Sequence, residues 1–122
     1  MHWRFVVAAR TRQRLREYTV GLLARKWTLR IAIALNEETL RHSDIARLLP
    51  GITQKVLTET LREMERTGIV ERTVYLVIPP RVEYRLTDIG VELLHLSRGF
   101  SRWFDTNHES IHKAKRIYDG RA

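Results

Sequence analysis

The chain has no cysteine among its 122 residues. That excludes a structural disulfide, a cysteine-based zinc site and a thiol redox switch within this polypeptide. Long apolar runs are missing as well. The early run from Phe5 to Ala9 is short and lies inside a basic segment, so it matches neither a secretory signal nor a membrane span, and the chain is expected to be cytoplasmic with no membrane contact. Catalytic patterns are also absent: there is no GxSxG, no glycine-rich phosphate loop and no HExxH. His108 and His112 are spaced to share a helix face, but only Glu109 lies near enough in sequence to be a third ligand, so a solvated tail is the better reading. No enzymatic reaction, cofactor or metal is expected, and there is no internal repeat, low-complexity tract or linker.

Acid is scarce relative to base. The chain carries 22 Lys and Arg against 14 Asp and Glu, a net charge of +8 and a pI near 10.6. The excess is concentrated early: Arg4, Arg10, Arg12, Arg14, Arg16, Arg25, Lys26 and Arg30 stand against Glu17 alone up to Leu35. Such a surplus attracts polyanions, of which nucleic acid is the commonest. It equally keeps solvated helix faces soluble, and charge alone does not separate the two. At this length one domain can bury roughly two-thirds of its unfolded surface without a staple.

What is present is organised around Pro50 to Thr87. Thr53 is placed to cap a helix with its hydroxyl, and Gly68 is placed to end it in a left-handed conformation. Between them Val56, Leu57, Thr60, Leu61 and Met64 form one stripe at spacings of three and four, leaving Gln54, Lys55, Thr58, Glu59, Arg62 and Arg66 for the other faces. Upstream, Ser43 is expected to cap a short helix from Asp44 to Leu49 with Ile45, Leu48 and Leu49 inward, which Pro50-Gly51 stops. Two short helices about a tight glycine-containing turn make a helix-turn-helix, whose second helix projects from the body. Downstream, Ile69 to Val77 and Arg81 to Leu86 read as strands, the latter with Arg81, Glu83 and Arg85 outward and Val82, Tyr84 and Leu86 inward. Pro79 and Pro80 cannot donate to a ladder and set the hairpin tip near Ile78 to Pro80. This hairpin is the wing.

On either side the chain reads as helix. Arg10 to Leu23 is amphipathic through Leu15, Tyr18, Leu22 and Leu23. Lys26 to Leu35 alternates almost like a strand, but its alanines and the Asn36-Glu37-Glu38 break favour a helix with Trp27 as a core anchor. A short extended piece, Thr39 to Arg41, follows. Thr87 caps a long helix from Asp88 to about Asn107 through Ile89, Leu93, Leu96, Phe100, Trp103 and Phe104, with Gly90 and Gly99 weakening its regularity. From His108 the tail either forms a last helix through Ile111 and Ile117 or frays. The expected fold is mainly α with a β-hairpin wing.

Between Val20 and Phe104 the chain resembles the HxlR family of winged helix-turn-helix transcription regulators, within the MarR-like group. The resemblance is carried by Lys26-Trp27-Thr28-Leu29, Leu49-Pro50-Gly51-Ile52-Thr53, Lys55-Val56-Leu57-Thr58, Leu61-Arg62-Glu63-Met64-Glu65, Gly68-Ile69-Val70-Glu71-Arg72, Pro79-Pro80-Arg81-Val82-Glu83-Tyr84 and Leu86-Thr87, in order and spacing. It implies a single domain over 1–122: an N-terminal arm and dimerisation helix over 1–25, a DNA-binding core over 26–87 with its wing at 69–86, and C-terminal dimerisation helices over 88–122. It further implies a homodimer on an inverted-repeat operator, acting as a repressor that answers a chemical signal. Three departures stand out. There is no reactive cysteine near Arg14, so the signal is a non-thiol one; the wing tip carries Leu76 and Val77 where relatives have a proline and a polar residue. Arg30 fills a position that is usually apolar, and Ala24-Arg25 replaces a frequent glycine pair.

With double-stranded DNA as the partner, Gln54, Lys55, Thr58, Glu59 and Arg62 can reach base edges in a major groove, with Lys55, Thr58 and Arg62 foremost. Arg81, Arg72 and Arg85 can approach the backbone or minor groove, although Arg72 and Arg85 can equally pair with Glu71 or Glu83 across the ladder. Tyr18, Phe100, Trp103 and Phe104, with the early Trp3 and Phe5, gather where the dimer seam is expected. They either fill that interface or line a pocket for a small-molecule effector. The rival function is a protein-interaction module without DNA binding, to which the apolar tip Leu76-Val77-Ile78 points.

Overall fold

Five helices and a three-stranded antiparallel sheet follow one another as α1 (His2–Leu23), α2 (Thr28–Leu35), β1 (Leu40–Arg41), α3 (His42–Leu48), α4 (Gln54–Arg66), β2 (Val70–Tyr75), β3 (Arg81–Leu86) and α5 (Asp88–Asp119). This computed structural model describes residues 2–121, with side chains from residue 8 onward; Trp3 and Phe5 lie outside the described side chains.

The core is built from the stripes that periodicity marks. Ile31, Ala32 and Leu35 of α2, Ile45 of α3, Leu57, Leu61 and Met64 of α4, and Leu93 and Leu94 of α5 are all buried. For α2 this settles the competition between helix and strand, because the buried positions recur at one, three and four rather than at two. Trp27 sits at the N-terminus of α2, half-buried against the core. The ammonium of Lys26 and the guanidinium of Arg30 lie 4.9 and 5.1 Å from its ring centroid. The usually apolar position of Arg30 is therefore filled by a cation stacked on an aromatic face.

Local chemistry fixes the ends of α4. The Thr53 hydroxyl accepts from the amide of Val56 at 3.1 Å, and Gly68, at φ +76°, ends the helix in the left-handed region that glycine enters without a Cβ penalty. The start of α3 differs from expectation. The helix begins at His42, not after Ser43, because the carboxylate of Asp44 accepts the backbone amide of Arg41 at 3.0 Å and so satisfies the first turn from inside the helix. Leu48 is exposed rather than inward, and Leu49 covers the core instead.

In the sheet, β3 is central, pairing β2 from Val70↔Leu86 to Tyr75↔Arg81 and β1 at Leu40↔Tyr84 and Arg41↔Glu83. The extended piece before α3 is thus the third strand. Of the residues expected outward on β3, Arg85 is exposed while Arg81 and Glu83 are half-buried. Glu83 lies where β1 pairs, opposite Arg41, whereas Arg81 lies beyond that pairing and is covered by the Tyr75 ring and Glu83.

Two elements are longer than periodicity suggests. α1 extends back to His2, and α5 is continuous to Asp119, with no break at Asn107. The side-chain amide of Asn107 donates to the carbonyl of Trp103 at 2.8 Å, one turn back, so its polar group is satisfied on the helix itself.

Candidate nucleic-acid interface

Along α4, Gln54, Lys55, Glu59 and Arg62 are exposed and Thr58 is half-buried. Among the described residues neither Lys55 nor Arg62 takes part in an ion pair; the acid pairing on this helix is Glu63 with Arg66, at 3.3 Å. A cation that is neither buried nor neutralised by its own chain keeps its charge available to a phosphate or a guanine edge.

The wing joins this surface at one point. Thr58, Arg62 and Glu65 of α4, with Arg72 of β2 and Tyr84 of β3, line a single depression of about 250 Å³. On its other flank Arg62 borders a second depression with Glu59, Glu63, Arg66, Tyr18 and Arg25. Arg62 is therefore central to a surface running from the end of α1 across α4 to the wing. Arg25 and Arg66, which periodicity does not single out as contacts, belong to that surface too.

The wing arginines divide in an informative way. Arg85 is held by Glu71, at 2.7 and 2.9 Å, and Arg81 lies over the Tyr75 ring at 4.6 Å with Glu83 3.2 Å away. Arg72 is exposed and makes no ion pair among the described residues. Arg72 is thus the freest of the three, although chain position alone favours Arg81. Beyond them Leu76 and Ile78 at the tip are fully exposed.

Residues from distant parts of the chain complete the site. Tyr18 of α1 donates its phenolic hydrogen to the carboxylate of Glu63 on α4, and Arg66 donates to the Tyr18 oxygen at 3.3 Å. The bond from Tyr18 holds the Glu63 carboxyl below its ordinary 4.5, with Arg66 adding to the effect. The same bond pushes the Tyr18 phenol above its ordinary 10.0. Asp44 is likewise held below 3.8, first by the Arg41 amide and then by Arg47. For both carboxyls the unfolded chain takes up the proton first as the pH falls. Their stabilisation is therefore complete above the ordinary carboxylate range and is lost on acidification through the depressed folded values. The tyrosine contribution holds below pH 10 and is lost above it. In melts recorded from about pH 7 down to about pH 3, Glu63→Gln combined with Asp44→Asn is expected to flatten the acid limb of stability. A variant with the wild-type slope would refute the assignment.

His42 is the other residue that no spacing reveals. Its Nε2 lies 3.1 Å from the Thr58 hydroxyl, tying the first helix of the motif to the second.

Tyr18 also lines a cleft of about 650 Å³ with Leu15, Leu23, Ile69, Ile89 and Leu96. Phe100, Trp103 and Phe104 do not line it. They stand exposed farther along α5, Phe100 and Trp103 stacked at 6.2 Å and Phe104 against His108 at 5.9 Å. Among the described residues no three His, Asp or Glu side chains converge on a possible metal site, and no helix is long and apolar enough to cross a membrane.

This arrangement of turn, projecting helix and wing has relatives. The family model for the HxlR-like helix-turn-helix matches residues 22–112. The chain belongs to the HxlR-like family. An HTH-type transcriptional regulator of Methanothermobacter thermautotrophicus is 40% identical over 87 residues, covering 71% of this chain and 66% of the relative. YtcD of Bacillus subtilis, also an HTH-type transcriptional regulator, is 36% identical over 107 residues, covering 78% of this chain and 85% of its own. Among solved structures, the YtfH regulator of Salmonella typhimurium aligns with a TM-score of 0.73 at 28% identity, over 83% of this chain and 90% of its own. The redox regulator HypR in its reduced form aligns at 0.72 and 34% identity, over 80% and 96%. The chain is a transcriptional regulator with a helix-turn-helix DNA-binding fold.

Proposed function

We propose that this regulator binds DNA sequence-specifically as a homodimer on an inverted-repeat operator, with α4 in the major groove and the wing on the backbone or minor groove, and that it represses in response to a non-thiol signal. The observation that carries this reading is the continuous face on which Lys55, Arg62 and Arg72 are exposed and, among the described residues, take part in no ion pair. Gln54, Thr58 and Glu59 complete the base-reading set, and Arg81 contributes to backbone positioning from the wing. Whatever signal HypR answers, a chain without cysteine has no thiol with which to answer it. The apolar cleft beside Tyr18 is the better seat for an effector, while Phe100, Trp103 and Phe104 belong to the dimer seam formed by α1 and α5.

Binding of the purified protein to a randomised duplex pool, followed by salt titration on the selected operator, tests this. Arg62→Ala is expected to weaken the selected site by roughly 5- to 150-fold and to relax preference at its base pair. Arg72→Ala is expected to weaken all sequences about equally and to lower the salt slope by about 1. Failure to enrich any sequence, with weak binding insensitive to salt, would instead favour the interaction-module reading, for which the exposed Leu76 and Ile78 speak.

A further inference from the structure

Threonines inside helices have two common side-chain states, one of which returns the hydroxyl to the carbonyl one turn back. In this chain Thr19, Thr60 and Thr106 take that state, donating to the carbonyls of Leu15, Val56 and Arg102 at 2.7 to 2.9 Å. Thr58 makes no such bond; its hydroxyl instead meets Nε2 of His42, at 3.1 Å, across the turn of the motif. The hydroxyl and methyl of threonine diverge from the same carbon, so whatever holds one decides where the other points. Thr58 is half-buried at the edge of the depression shared by Arg62 and Arg72, where the choice of group presented to a base matters.

We propose that His42 is a specificity-setting positioning residue: by occupying the Thr58 hydroxyl it commits the Thr58 methyl to the groove, so that α4 reads the 5-methyl of a thymine at this position. The proposal rests on the reading that α4 enters the major groove. Without the imidazole the hydroxyl has the carbonyl of Gln54 to return to. That rotation exchanges methyl and hydroxyl at the DNA surface and substitutes a hydrogen-bonding group for an apolar one.

The test uses the full-length protein and an operator selected from a randomised pool, with each thymine replaced in turn by deoxyuridine, which lacks the methyl group. For the wild type, one thymine per half-site is expected to lose about fourfold in affinity on this replacement, the order that one buried methyl is worth. His42→Phe retains a ring but not the bond, and its thymine-to-uracil ratio at that position is expected to fall to about one. His42→Gln places an amide near the position of Nε2 and is expected to restore the discrimination. Thr58→Ser, which keeps the hydroxyl and loses the methyl, is expected to abolish it. If His42→Phe discriminates as the wild type does, or His42→Gln fails to restore what His42→Phe loses, the proposal is overturned. In the first case sequence-selective binding persists, so DNA recognition by α4 stands while the role of His42 falls. If no duplex is enriched by the wild type, the DNA reading itself fails.

Discussion

Gly90→Ala is expected to lower the melting temperature by roughly 8–12 °C, because a Cβ at this position would lie 2.2 Å from the carbonyl oxygen of Ile69. That oxygen cannot easily retreat. It accepts the backbone amide of Thr87 at 3.0 Å, while the Thr87 hydroxyl donates chiefly to the neighbouring carbonyl of Gly68 and receives the amide of Gly90 at 3.2 Å to cap α5. Glycine is what lets the first turn of α5 lie against the beginning of the wing. Two effects oppose each other in the substitution. Alanine is favoured over glycine inside a helix by about 1 kcal/mol, whereas forcing a methyl into closed space costs typically 1–3 kcal/mol and sometimes more. With a backbone oxygen as the obstacle the upper end applies, and the net loss is about 2–3 kcal/mol. Thermal denaturation followed by circular dichroism at fixed protein concentration measures it. A rise in melting temperature would mean that α5 and β2 do not approach as described.

The same node shows what could be read from the chain and what could not. Thr87 is legible as a cap because a hydroxyl residue precedes a helical run, and Thr53 and Gly68 are legible for equally local reasons. The buried faces of α2 and α4 follow from spacing alone. By contrast, the need for glycine at position 90 arises from a backbone that lies twenty-one residues earlier, and helix regularity by itself makes Gly90 look like a weakness. Ser43 was the natural cap by composition, yet the Asp44 carboxylate does that work from within the first turn. The bonds from His42 to Thr58 and from Tyr18 to Glu63 join residues 16 and 45 apart; no periodicity encodes such pairs, because they depend on how finished elements cross. The exposed face of α4 was legible residue by residue. Which wing arginine remains free was not, since Arg81, Arg72 and Arg85 differ only in neighbours supplied by the folded ladder.

A larger effect is expected from α5. A helix of 32 residues is about 48 Å long, and beyond Ser97 none of its residues is buried in the isolated chain. In proteins most helical stability comes from packing an apolar face, so a partner surface is expected to support the stretch from Arg98 to Asp119. Its pattern fits a second helix: Leu96, Phe100, Trp103, Asn107, Ser110, Ala114 and Ile117 alternate at spacings of three and four. A polar asparagine in such a seam selects register at some cost in stability. Replacing Phe100 and Trp103 together by aspartate would place two charges in the proposed seam. Sedimentation is then expected to show a dimer for the wild type and a monomer for the double variant, with helical signal lost from the projecting part of α5 while the core of α2, α4 and the wing still melts cooperatively. Binding to an inverted-repeat operator is expected to fall by roughly 10²–10⁴-fold, since each half-site must be found independently once the two recognition helices are no longer tethered. Binding to an isolated half-site should change little, because both side chains are exposed and stacked on each other, beyond the buried part of α5. A double variant that still sediments as a dimer and holds the full operator would move the seam off this stretch of α5 and leave α1 to form it.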